Sequence, residues 1–244
     1  MIDIKVRYQA VAFVPSIEAS PNNMSQLMGL FADKGLVPTT YQEVAIAPLP
    51  SQPQLRFSLQ SPNNEWNIRF GINRIDVLKN AINGKGDNIG SIEQFCSDAS
   101  DIFTKIYSKH PQKANRLGLS SNVLLEEMTD EKLNDVYNKL FNPIKLYSDN
   151  KPLEWNSRVN SRIQKEVNSV NEQINFISEI NRASGLLNID QKLVPIDRIA
   201  INLDINTIPN NIENRFGEAE VVDFYKSVFA WHNELLNEII EKIK

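Results

Sequence analysis

Seven residues stand out for what they could hold: Arg56, Arg69, Arg74, Arg158, Arg162, Arg198 and Asn202. Arg56, Arg69 and Arg74 lie in "LRFSLQSPNNEWNIRFGINRIDV" (residues 55–77), Arg158 and Arg162 in "WNSRVNSRIQKEV", and Arg198 and Asn202 in "IDRIAINLDINTI". Residues two or four apart on a strand point the same way, so these side chains share faces with Ser58, Gln60, Asn67, Asn160 and Gln164. A guanidinium is a planar fork of donors that fits a carboxylate or a phosphate. The chemistry expected of such a face is recognition of an acidic partner, either a protein or a nucleic acid. The plain alternative is a solvated antiparallel face on which Glu65, Glu166, Glu179 and Asp204 neutralise the arginines. Aromatic residues for base stacking are sparse on it, which counts against single-stranded nucleic acid.

Other chemistry is hard to find. The chain has no Walker-type phosphate loop, no dinucleotide fingerprint and no nucleophile elbow. His110 and His232 have no neighbours at metal-ligand spacing. His110 precedes Pro111 at a helix end, and His232 lies beside Val228, Leu235 and Leu236, where a buried, hydrogen-bonded histidine is expected. Cys96, the single cysteine, neighbours Phe95 and Ala99 on a helix and reads as a packing residue. Asp197 and Asp204 fall on opposite faces of one strand, which removes them as a catalytic pair. No cofactor or metal is implied. The chain reads as a binding protein rather than an enzyme, unless a site is assembled from scattered residues.

The chain of 244 residues is 41% hydrophobic and 23% charged, with a net charge of -4, so it can bury a sizeable core. An acidic balance disfavours nonspecific nucleic-acid binding unless positive charge is segregated onto one face. The N-terminus has no signal-peptide pattern, no apolar run reaches membrane-spanning length, and one cysteine suits a reducing compartment. A cytoplasmic location is expected.

The positioning elements follow from periodicity. "IKVRYQAVAFV" alternates as a strand, and "NNMSQLMGLFADKGL" places Met24, Leu27, Met28 and Phe31 at helical spacing, ending at Gly35. "TTYQEVAIA" is a strand followed by the proline-rich "PLPSQP". Residues 55–77 give further strands with an apolar face of Leu55, Phe57, Leu59, Trp66, Ile68 and Phe70. Ser91 caps a helix carrying Ile92, Phe95, Ala99, Ile102, Phe103 and Ile106. The order then restarts: strand "NRLGLSSNVLLEE", helix "TDEKLNDVYNKLF" stopped by Pro143, strands at 155–167, 171–183 and 196–208, and a long C-terminal helix. Residues 155–167 carry Trp155, Val159, Ile163 and Val167 every four residues, which suits a helix as well as a strand. Their polar content and the alternating segment after them favour a strand. The fold class expected is α+β, with two pseudo-repeated β-α-β(3-4)-α halves, residues 1–112 and 113–244. Together they form an antiparallel sheet covered on one face by long helices.

The segments "LRFSLQSPNNEWNIRFGINRIDV", "RLGLSSNVLLEE" and "RIAINLDIN" resemble a sporadically distributed bacterial family of uncharacterised proteins of about this length. The element order also resembles the duplicated saddle of the TATA-binding-protein type, a likeness that carries no function. The patchy distribution implies defence or toxin-control cargo and a protein partner within a larger complex. It supplies no catalytic residue.

Overall fold

The computed structural model describes residues 1–44, 52–189 and 192–244. The strands are β1 Ile2–Phe13, β2 Val37–Glu43, β3 Gln54–Gln60, β4 Trp66–Phe70, β5 Ile75–Asn80, β6 Arg116–Leu125, β7 Asn156–Val167, β8 Val170–Ile189 and β9 Lys192–Thr207. The helices are α1 Pro21–Leu30, α2 Ile92–Lys109, α3 Asp130–Leu140, α4 Lys145–Asp149 and α5 Glu218–Ile243. All nine strands join one antiparallel sheet in the order β2-β3-β4-β5-β1-β6-β9-β8-β7. The fold is therefore α+β. The helix alternative for residues 155–167 is settled in favour of the strand.

Strand alternation divides the sheet into two unlike faces. Tyr8, Ala10 and Ala12 of β1, Leu117 and Leu119 of β6, and Ile199, Ile201, Leu203 and Ile205 of β9 are buried on the side where α2 and α5 pack. Ser91 caps α2 by accepting from the Gln94 amide, and Glu220 accepts from the Gly217 amide at the start of α5. Phe103 of α2 stacks on Tyr225 of α5 with ring centroids 5.4 Å apart. Trp66 stacks on Phe95 and Phe57 on Phe70, so α2 covers the apolar side of residues 55–70 as expected. Leu55 is the exception. It lies at the start of β3, outside the helical cover, and is 56% exposed.

Several polar groups on this covered side are paired, although the buried Tyr107 hydroxyl of α2 has no partner. Tyr225 donates its hydroxyl to the carbonyls of Val11 and Gly118, which stitches α5 to the two central strands. His232 lies 2.7 Å from the Ser121 hydroxyl, and burial pushes its pKa down to about 4. Arg215 makes a bidentate pair with Glu172, and Arg182 reaches both Asp197 and Asp130. Cys96 is buried, with its thiol pushed up to about 12 by desolvation.

Two details depart from the sequence reading, and one segment lies outside the described residues. The segment "PLPSQP" falls mostly on residues 45–51, outside the described residues. A short helix, α4, follows Pro143. β8 and β9 also run on past the alternating segments, and their register continues to Ile189 opposite Lys192.

Candidate functional site

The opposite face of the sheet has no helix packed on it among the described residues, and it carries many of the strands' polar residues beside a small apolar cluster of Ile4, Leu124 and Ala200. Cross-strand register fixes the arrangement. Tyr41 lies opposite Arg56, Ser58 opposite Arg69, and Arg69 opposite Asp76. Asn80 is opposite Arg7, which is opposite Asn122, which in turn faces Asn202. Asn202 continues to Glu179 and then to Arg158, so one polar row crosses β5, β1, β6, β9, β8 and β7. A cavity of about 400 Å³ opens along this row, lined by Arg7, Gln9, Ser120, Asn122, Arg158, Glu179, Asn202 and Asp204 among others.

Arginine carries most of the positive charge on this face among the described residues. Arg7, Arg56, Arg69, Arg116, Arg158, Arg162 and Arg198 project from its strands, and Arg74 leans in from the start of β5 to pair with Asp76 at 2.9 Å. Of the ten arginines in the chain, only Arg182 and Arg215 lie elsewhere. Lys79 and Lys165, by contrast, turn to the covered side, over the rings of Trp66 and Trp231. Strand carboxylates interleave with the arginines: Asp3, Glu43, Asp76, Glu166, Glu179 and Asp204. The face thus carries an excess of positive charge in a chain whose net charge is -4.

Its hydrogen bonding is partly closed and partly open. Arg162 donates to Asn175, Asn175 to Asn206, and Asn206 to Asp204, a chain of bonds across β7, β8 and β9. Gln9 donates to Asp76 at 2.8 Å. Burial nevertheless raises the Asp76 carboxyl above its ordinary range, because desolvation outweighs its partners. Burial likewise lowers the Arg116 guanidinium and raises the Tyr41 phenol. Nε of Arg56, Arg116 and Arg198 and Oδ1 of Asn67 and Asn202 are buried without a hydrogen-bond partner. A polar atom in that state costs free energy until something satisfies it.

The structure places Arg56, Arg69, Arg74, Arg158, Arg162, Arg198 and Asn202 on this one face, but not in one cluster. Arg158 and Asn202 meet at the cavity. Arg56, Arg69 and Arg74 surround Tyr41 and Asp76 on the other half of the sheet. Arg198 is held at one end by Asp3, at 2.6 Å, and by the Leu125 carbonyl. Of the expected neutralising carboxylates, Glu179 and Asp204 lie among the arginines of this face, and Asp3 and Asp76 join them. Asp3 and Asp76 form ion pairs with face arginines, whereas Glu65 contacts Asn63 in the β3–β4 turn and Glu166 lies exposed near the end of β7. Arg7, Gln9, Ser120, Asn122 and Asp76 were not singled out by the sequence, although the alternation of their strands places them on this side.

Among the described residues, no group of three or more His, Cys, Asp or Glu side chains could hold a metal ion. No helix of the described residues is long and apolar enough to cross a membrane. No protein-family model matches the chain, and no curated protein is significantly similar to it.

Proposed function

We propose that the chain is a non-enzymatic binding protein that docks a protein partner on the uncovered face of its sheet. The observation that carries this reading is the segregation of eight of ten arginines onto that face, with buried donors and acceptors left unpaired among them. Arginine is the cation suited to planar, bidentate recognition, and Arg69, Arg158 and Arg162 are exposed on this face. Glu179, Asp204 and Asp76 lie between the arginines and would repel a continuous phosphate backbone. A protein surface presenting both signs fits the mixture better.

The excess of arginine supports nucleic acid as a second reading, since positive charge is segregated on this face despite the acidic chain. In both readings the strand order is taken as two β-α-β-α halves meeting at β1 and β6, each contributing half of the docking face. Membership of a defence or toxin-control complex rests on the family resemblance alone.

The test is affinity recovery of the tagged chain from its own cells, comparing wild type with Arg158→Glu and with Lys226→Glu on exposed α5 surface. The reading predicts a stoichiometric protein that is lost with Arg158→Glu and kept with Lys226→Glu. Recovery of nucleic acid, released steeply by salt, would favour the second reading. Equal recovery with both variants would remove the face as the docking surface.

A further inference from the structure

The two edges of the sheet are built differently. β2, at one edge, has seven residues and carries Pro38, which removes a donor and blunts an edge against further pairing. β7, at the other, has twelve residues, contains neither proline nor glycine, and pairs with β8 in unbroken register from Asn156 opposite Asn181 to Val167 opposite Val170. The turn between them has two residues, Asn168 and Ser169, both with left-handed φ of 48° and 63°. Such a turn makes Val167 and Val170 a hydrogen-bonded pair. Along β7 the odd-numbered residues therefore bond to β8, and the even-numbered ones turn N–H and C=O outward.

Two apolar side chains next to this free edge are left exposed on the covered side. Val159 and Ile163 are 55% and 46% exposed, because α5 reaches only as far as Trp231 and Leu235. A groove of about 260 Å³ runs between these four side chains.

We propose that β7 pairs antiparallel with β7 of a second copy of this chain, about a two-fold axis at Ser161. In that register Val159 lies opposite Ile163 of the second copy on both sides of the axis, which covers the exposed pair. Arg158 then faces Gln164, Asn160 faces Arg162, and Asn156 faces Glu166, so no like charges are opposed. The outward-turned residues meet as the hydrogen-bonded pairs, and Ser161 meets Ser161 as a non-bonded pair. A two-residue slip one way sets Arg158 against Arg162, and the other way sets Arg162 against itself. A one-residue slip exchanges the two faces. The sequence of this edge thus disfavours the slips next to the central register of an isologous pairing. The pairing leaves both uncovered faces on the same side, doubling the arginine-bearing surface.

Light scattering during size-exclusion chromatography of the full chain is expected to give twice 27.8 kDa. Asn160→Pro removes an outward N–H without touching the β8 ladder, and Ile163→Lys charges the apolar contact. Both are expected to give a monomer with the wild-type circular dichroism spectrum. If Asn160→Pro fails to fold, Ile163→Lys decides alone. Ser161→Cys is expected to cross-link under mild oxidation, because opposite residues in a non-bonded pair approach to disulfide distance. Ser157→Cys, which faces Lys165 of the second copy, is not. A monomeric wild type, a dimer that survives Ile163→Lys, or equal cross-linking at 157 and 161 would each overturn the proposal.

Discussion

The two faces of this sheet differ in how they hold their arginines and their buried polar atoms. On the covered face, Tyr225, His232, Arg182 and Arg215 each have defined partners, and burial of those groups serves α5 and the strands beneath it. On the uncovered face, Arg56, Asn67 and Asn202 hide polar atoms with nothing to bond, and Asp76 is buried although desolvation outweighs its partners. Unmatched buried polar atoms destabilise, and the uncovered face holds more of them than the covered side, where the Tyr107 hydroxyl is also unpaired. The difference separates residues kept for stability from residues available for docking, and substitutions on the two faces should separate in the same way.

The largest expected effect is on the covered side. Phe103→Ala removes the ring stacked on Tyr225 and should cost about 3–5 kcal/mol in urea unfolding. Next comes acid. His232 is neutral in the folded chain down to about pH 4, whereas unfolded histidine takes up a proton near its ordinary 6.5. The unfolded state therefore binds more protons between those values, and stability should fall by about 3 kcal/mol as pH drops through that window. Urea midpoints at pH 7 and pH 4.5, compared with those of His232→Gln, isolate this contribution. Tyr225→Phe takes the donor away from the Val11 and Gly118 carbonyls and should cost about 1–2 kcal/mol by the same assay.

The uncovered face should answer with the smallest changes in stability. Because burial raises the Asp76 carboxyl, ionising it costs the folded state as pH rises through its pKa, and Asp76→Asn should leave the thermal midpoint unchanged or higher at pH 7. Arg69→Glu, at an exposed position beside Asp76, should weaken recovery of the partner with little change in midpoint, a separation of function from stability that the covered side would not show. A fall in midpoint comparable to that of Tyr225→Phe would place Asp76 among the structural residues instead.

The faces themselves were legible in the sequence, because alternation is local and fixes which side chains point together. The apolar rows through Phe57, Leu59, Ile68 and Phe70, and through Ile199 to Ile205, are buried as read. What alternation cannot carry is which strand lies next to which. Asp3 pairs with Arg198 across 195 residues of chain, and Arg7 meets Asn122 through a register set only by folding. Arg7 and Gln9 were passed over because their strand was recognised by its inward Tyr8, Ala10 and Ala12. The strand at residues 156–167 was ambiguous because its apolar residues recur every four positions, a spacing that a helix face and a strand face both satisfy. At the free edge of the sheet two of those residues, Val159 and Ile163, are still exposed.

The account stands most directly on arginine reactivity in the assembled complex. Phenylglyoxal modification, read by mass spectrometry with and without the partner, should show protection of Arg7, Arg69 and Arg158 and no change at Lys226-bearing surface probed in parallel by lysine acylation. Protection of Lys226 with unchanged Arg7, Arg69 and Arg158 would contradict it.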